Sequence, residues 1–349
     1  MKISYTSPFN DKEIVTGGQM YDKDLTNIVS NKTPHSVEFL HLDAAKLSNN
    51  LILAPFSYLF KTLKDKNTDI YLFNSAFFMR FLLLPFFIRK IKKKHAIAVH
   101  HHFMHRQFSG LKKLIYRHFE WSFLNQMDKI IIASPYVYDE LLKVYPKEKL
   151  LFYQIPFDAK QKYTPNPVKG NLVYAGTIEY RKGLNFLLEA LIELKKRNRD
   201  YNLTIIGKVT EKDYYDSIKK LISENDLNVT FTGFLSRDEK DRYMAQADLF
   251  VFPSLLEGYG MVLVEAQVYG LPIVSFDNSA MPYNVKNDFT GYAVPTGNAL
   301  AFADAIEKIV EDRLLREKLS EGAYKNLEAQ NSFKKFEDDI ISSFNNLSF

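Results

Sequence analysis

Short runs of consecutive apolar residues alternate along this chain with longer stretches whose apolar positions recur every three or four residues. The runs fall at 2–6, 36–40, 69–73, 96–100 and 129–133, then at 171–175, 202–206, 229–232, 248–252 and 272–276. Between them the helical period dominates. Strands that are apolar throughout, each followed by an amphipathic helix, predict an α/β protein whose parallel sheets are covered by helices on both faces. Local signals agree. Ser236 and Glu239 form a capping box ahead of "RDEKDRYMAQA", and Pro135 follows Ser134 as a first-turn proline.

The alternation is interrupted once, by "IPFDAKQKYTPNPVKG" at 155–170, where three prolines and several charges read as a linker. Residues 1–160 are then expected to form one Rossmann-like domain and 168–331 a second. Residues 332–349 would add a final amphipathic helix. A length of 349 residues agrees, since it exceeds what one hydrophobic core usually serves. Ligands of such domains sit at the carboxyl ends of the strands, so the expected site is a cleft between the two.

Composition narrows the chemistry. There is no cysteine, which excludes disulfides, thiolate metal sites and a cysteine nucleophile, and fits a reducing compartment. "MKISYTSPF" lacks a signal-peptide core and reads as a first strand. The most apolar run, Phe77 to Ile88, is too short for the ~20 residues that a bilayer span needs. A cytoplasmic protein is therefore expected, at most surface-associated. A net charge of +5 points to anionic partners without choosing among them.

The sharpest chemical signal is "FPSLLEGYGMVLVEAQVYGLPIVSF", 252–276. A buried strand leads through a turn containing Gly258 and Gly260 into a helix. That helix start offers backbone amides and a positive dipole end to phosphate. Glu257 precedes the turn and Glu265 lies inside the helix, so the two carboxylates could bracket a diphosphate and take hydroxyls at either end. A dipole-favoured acid before a helix is the plainer reading of Glu257.

This stretch resembles the signature of glycosyltransferase family four: Pro-Ser, Glu-Gly-x-Gly, Glu-Ala and Gly-x-Pro are all present. The resemblance implies a retaining enzyme of the GT-B fold, two facing Rossmann-like domains with the C-terminal helix returning to the first. It implies that Glu257 contacts the donor sugar and Glu265 the ribose, with Gly258, Tyr259, Gly260, Met261 and Val262 around sugar and phosphate. Upstream, "YAGTIEYRKG" matches at Gly176, Lys182 and Gly183. Thr177 stands where the family carries arginine, and Arg181 is expected to supply that charge beside Lys182. Gly207, ending "LTIIG", is another match. In the first half, Gly17 and Gly18 are expected in a glycine loop between the first strand and first helix. His100 is the nearest match to the family histidine at a strand end, with His101 next if the register slips. Where the family often has Pro-Glu, this chain has Pro282 and Tyr283.

Several competing patterns are weaker. "DKD" at 22–24 lies in a polar helix and reads as surface. His101 and His105 are four apart, but no nearby acid is evident in the sequence to complete a metal shell, so no metal or other cofactor is expected. No G-x-G-x-x-G fingerprint supports a dinucleotide oxidoreductase. Residues 77–121 mix lysines and arginines with Phe, Leu, Ile and Trp121, as interfacial helices do. Peripheral contact with an anionic membrane is the expectation there; nucleic acid lacks a recognition module. The expected activity is transfer of a sugar from a nucleotide-diphosphate donor to a glycan or lipid-linked acceptor. The alternatives are an epimerase on the same fold and a noncatalytic partner of an active transferase.

Overall fold

The computed structural model describes residues 1–6, 17–39, 53–157, 163–330 and 332–349. The chain divides into two compact units, Met1–Pro156 with Asn331–Phe349, and Phe157–Gln330. Within the expected linker, residues 158–162 lie outside the described residues.

The first unit holds a six-stranded sheet of β1 (Lys2–Thr6), β2 (Ser36–Phe39), β3 (Ile70–Asn74), β4 (His95–His100), β5 (Lys129–Ile132) and β6 (Leu150–Phe152). The second holds β7 (Asn171–Ala175), β8 (Asn202–Ile206), β9 (Val229–Gly233), β10 (Leu249–Phe252), β11 (Ile273–Phe276) and β12 (Gly291–Val294). Their spatial orders are β2-β1-β3-β4-β5-β6 and β12-β11-β10-β7-β8-β9, and all pairings are parallel. Ten strands fall within a residue or so of the apolar runs in the sequence. β6 and β12 were not anticipated. Each lies at a sheet edge, β6 is three residues long, and β12 opens on glycine and is only half-buried. Short edge strands carry too little apolar signal to stand out.

Burial follows sheet position. β3, β10 and β11 are buried at every residue, whereas the edge strand β9 has none fully buried. Central parallel strands are covered on both faces and so must be apolar throughout. The capping box at Ser236 and Glu239 forms as expected, and Pro135 opens the helix Pro135–Leu142. The last helix, Phe333–Asn345, buries Phe336, Ile340 and Phe344, spaced four apart. It lies along the helix Gly17–Lys32, with the Phe336 and Tyr21 rings 5.4 Å apart and the Phe344 carbonyl 2.9 Å from His35 Nε2. The chain's end thus belongs to the first unit.

The order of strands locates the sites. In the second unit the chain steps outward from β7 through β8 to β9, then returns to lay β10 on the other side of β7. In the first it lays β2 on one side of β1 and β3 on the other. At such reversals neighbouring loops diverge above the strand ends and leave room for a ligand.

Phe336→Ala should lower the unfolding free energy by about 3–5 kcal/mol in urea titration, as for other fully buried phenylalanines. Leu314→Ala, at a residue 77% exposed, should change it by less than about 0.5 kcal/mol. Equal effects would contradict the packing described for the last helix.

Candidate functional site

β7 and β10 are neighbours at the reversal of the second sheet, so the loops leaving their carboxyl ends meet. The Leu255 amide donates to the Arg181 carbonyl at 2.9 Å. From β7 the chain passes Gly176 and Thr177 to a single turn of tight helix, Tyr180–Lys182. From β10 it passes Ser254 and Glu257 to the helix Met261–Val268. Gly260 enters that helix with φ +79°. A side chain is strained there, and its Cβ would press on Leu263 at 3.0 Å. Gly207, at the end of β8, packs backbone to backbone on Gly176: a Cβ would lie 1.8 Å from the Gly176 carbonyl oxygen.

Three residues singled out from sequence converge on one oxygen. Glu257 Oε1 accepts from Lys182 Nζ at 2.5 Å and from Ser254 Oγ at 2.9 Å, with Arg181 Nη1 at 3.6 Å. Burial pushes the Glu257 carboxyl up, but the Lys182 and Arg181 charges and the bonds from Lys182 and Ser254 outweigh it, leaving the group below its ordinary value. Among the described residues nothing bonds to Oε2. Arg181 is more committed than its neighbour, donating to the Leu256 carbonyl at 2.7 Å and to Glu179 at 2.5 Å. Thr177 Oγ1 also donates to Glu179, at 3.0 Å. Arg181 therefore braces the turn before Glu257, a task its sequence position did not suggest. Lys182 is the buried cation, 9% exposed, with Nζ 5.2 Å above the Phe252 ring.

The helix after Gly260 presents the amides of its first turn, to which Met261 and Val262 belong, at the mouth of the reversal. Glu265 is its fifth residue, about one turn in. It is half-exposed and paired with Lys240 at 2.7 Å. Residues that the sequence reading passed over hold this turn in place. Ser279 Oγ accepts the Glu257 amide at 2.9 Å, and Asn278 Nδ2 donates to the Ser254 carbonyl at 3.2 Å. Asn284 Nδ2 donates to the Tyr259 carbonyl at 2.7 Å, and buried Gln267 and Asn326 continue that chain of bonds. Only the polar cluster "DNSAMPYN" hinted at them. Tyr283, in the same segment, is on the surface.

In the first unit the reversal between β1 and β3 is built around Asp22. Its carboxylate accepts from the Tyr5 hydroxyl, from Asn74 Nδ2 at 2.7 Å and from His101 Nε2 at 2.8 Å. Burial and the Asp22 charge push the Tyr5 hydroxyl well above its ordinary value, so it stays a neutral donor. Asp22 is thus buried, not part of a surface "DKD": the helix Gly17–Lys32 turns this residue inward toward the strand ends. Gly17 and Gly18 are the first residues of that helix instead of a loop before it, and the loop residues 7–16 lie outside the described residues. His101 lies close over Gly18, where a Cβ would be 3.6 Å from the ring, and edge-on to Tyr21.

The histidine assignment changes. His100 is fully buried, with Ser75 Oγ 2.7 Å from Nδ1 and no hydrogen-bond partner at Nε2 among the described residues. Burial, with His101 and His105 nearby, pulls it down to about 3, so it stays neutral. No part of it is exposed. His101 is the histidine with an exposed edge. A carboxylate accepts only, so His101 Nε2 carries a proton and donates it to Asp22. Acids do lie near these histidines, contrary to the sequence reading. They separate the pair: His101 goes to Asp22 and His105 to buried Glu120 at 2.6 Å. Among the described residues no three metal-ligating side chains cluster.

Residues 157–326 match the family model described as glycosyl transferases group 1. Among curated relatives, alpha-D-kanosaminyltransferase of Streptomyces kanamyceticus is 32% identical over 154 residues, 44% of this chain and 39% of that protein. The amylovoran biosynthesis glycosyltransferase AmsK of Erwinia amylovora is 35% identical over 131 residues, 35% of this chain and 31% of its own length. The aligned part is thus under two-fifths of either relative. Among solved structures, sucrose-phosphate synthase from Thermosynechococcus elongatus superposes with a TM-score of 0.80 at 18% identity, covering 99% of this chain and 98% of that one. HepE from Anabaena, in complex with UDP and glucose, gives 0.74 at 16% identity, covering 99% and 100%. The architecture is therefore the two-sheet GT-B fold.

Two stability experiments test these networks. Glu257 has a folded-state value below its ordinary 4.5, so its stabilising effect is complete above that pH and is lost as pH falls through the folded value. Wild type should exceed Glu257→Gln in unfolding free energy at pH 7, and the gap should narrow as pH falls below the ordinary 4.5 toward the folded-state value. A gap independent of pH would contradict the ion pairing. Asp22→Ala strands the Tyr5 hydroxyl and the Asn74 amide and should cost about 2 kcal/mol or more in urea titration. A surface aspartate would cost almost nothing.

Proposed function

On the premise that the C-terminal unit belongs to the group 1 glycosyl transferases, we propose that the chain moves a sugar from a nucleotide-diphosphate donor to a glycan or lipid-linked saccharide, with retention at the transferred carbon. The observation that carries this reading is the meeting of Lys182, Glu257 and a helix N-terminus at the reversal of the second sheet. A diphosphate leaving group needs fixed positive charge where its own charge grows, and such charge acts most strongly where water is kept out. Lys182 is the cation that can supply it, assisted by amides from Gly258 to Val262. Donor phosphate would draw Lys182 from Glu257, while Glu257 Oε2 accepts a hydroxyl of the sugar. Glu265, on releasing Lys240, accepts the ribose diol, and Gly176 and Gly207 let the backbone come close to the donor.

In the first unit the ligand-touching role passes from His100 to His101, seated on Gly18 by Asp22. With Nε2 taken by Asp22, Nδ1 is the ring atom left to meet a sugar hydroxyl. Arg181 serves the Glu257 turn more than the phosphate. In the proposed step the bond from the sugar carbon to the diphosphate oxygen breaks as the acceptor oxygen attacks on the same face. The acceptor's proton passes to a donor phosphate oxygen. Protein groups thus position and stabilise; none forms a bond to the sugar. The HepE complex supports UDP as the first donor nucleotide to try, and the amylovoran relative supports a surface polysaccharide as destination. A lipid-linked acceptor would place the work at the inner face of a membrane.

The test is release of free nucleotide from a panel of UDP-, GDP- and ADP-sugars, with and without acceptor glycans. Lys182→Ala should lower kcat by about 100-fold or more, as loss of a transition-state donor does elsewhere. Glu257→Ala should fall comparably, and UDP should raise the melting temperature of wild type but not of Lys182→Ala. If wild type releases nucleotide from no donor, the catalytic reading fails and a noncatalytic partner is left.

A further inference from the structure

The helix Gly110–Asn125 is anchored at one end only. Its second half is fixed by buried Phe123 and Leu124, and Phe78 packs near both Tyr116 and Phe123. Its first half projects: residues 109–115 are all exposed, Leu111 at 72% and Leu114 at 60%. Ile115 completes an apolar ridge flanked by Lys112, Lys113 and Arg117. Toward the other end, Arg89 donates to the Gln126 carbonyl at 3.0 Å, and nearby Leu83, Phe86 and Ile91 are exposed too. A groove of roughly 680 Å³ runs between them, lined by Leu114, Arg117, His118, Trp121, Gln126 and Arg89.

Charge says what covers this surface. From Phe77 to Trp121 the chain has ten lysines and arginines and a single acid, Glu120, which is buried on His105. Lys90, Lys93, Lys113 and Arg117 have no carboxylate partner among the described residues. A buried protein interface would leave such cations unpaired at a cost, whereas an anionic lipid surface pairs each with a headgroup while the apolar ridge enters the acyl boundary. No helix among the described residues is long and apolar enough to cross a membrane, so contact would be peripheral.

We propose that this face of the first unit docks on an anionic phospholipid bilayer, with Leu111, Leu114 and Ile115 inserted, Lys112 and Lys113 on the headgroups, and the groove from Leu114 to Arg89 over lipid phosphates. The inference needs no donor, and it stands or falls apart from the transferase reading.

Co-sedimentation of the full chain with phosphatidylglycerol-containing vesicles, against phosphatidylcholine vesicles, tests it. Wild type should bind the anionic vesicles and release in high salt. Replacing Lys112 and Lys113 by glutamine should weaken partitioning by roughly 25-fold, about fivefold per cation. Leu111→Ser with Leu114→Ser should weaken it by at least about tenfold. These positions are exposed, so the melting temperature and the nucleotide release in solution should be unchanged, which separates lost binding from lost folding. Equal binding to both vesicle types, or variants that bind like wild type, would overturn the proposal. So would a wild-type dimer in sedimentation that the Leu111 and Leu114 changes dissociate without any lipid, because the ridge would then face a second copy.

Discussion

The ion pair between Lys182 and Glu257 joins two loops 75 residues apart in sequence, and the second unit is arranged around keeping it. An unmet charge at this depth would be expensive, so each partner needs several neighbours. Ser254 and Arg181 serve Glu257, and the Phe252 ring lies beneath Lys182. Ser279 and Asn278 then fix the backbone that carries the carboxylate. Because β7 and β10 are hydrogen-bonded neighbours, the rigid sheet sets the spacing of the pair, and the loops need only complete it. A resting site whose cation and carboxylate satisfy each other can exist without ligand and still open both groups to a diphosphate sugar.

The first unit solves a similar problem with one carboxylate and neutral donors. Asp22 gathers Tyr5, Asn74 and His101 from three different strand ends. It does for the first sheet's reversal what the ion pair does for the second: it joins segments remote in sequence at the place where a ligand has room. Its position in the first helix also ties this corner to the last helix, since Tyr21, the preceding residue, packs on Phe336. Substitutions in the chain's final helix can therefore reach the His101 corner through packing alone.

The two faces of the first unit differ in how they treat charge. At the strand ends every ionisable group described above has a partner. On the helix Gly110–Asn125 the cations have no carboxylate partner among the described residues, and exposed apolar residues stand beside them. Paired charge marks a place that binds small ligands and must be kept in register; unpaired charge beside exposed leucine marks a surface awaiting a larger partner.

The sequence by itself determined the alternation of strands and helices, the division into two units, and the turn from Glu257 to Gly260, because central parallel strands must be apolar throughout and a tight turn into a helix favours glycine. It named Glu257 and Glu265 through one short motif and Lys182 through a second one upstream. Only the tertiary structure decided which groups share a hydrogen bond. Periodicity reports which face of an element is apolar but not what lies opposite it, so Asp22 read as surface; and the family resemblance fixed the histidine only to within a residue, so it pointed to His100 before His101. Asp22 is buried because strands β1, β3 and β4 converge on it, and His100 is sealed because it ends a central strand. Asn278 and Asn284 left only the hint of a polar cluster, and Gln267 and Asn326 none, for the same reason: their partners are remote along the chain and near only once the sheet has formed.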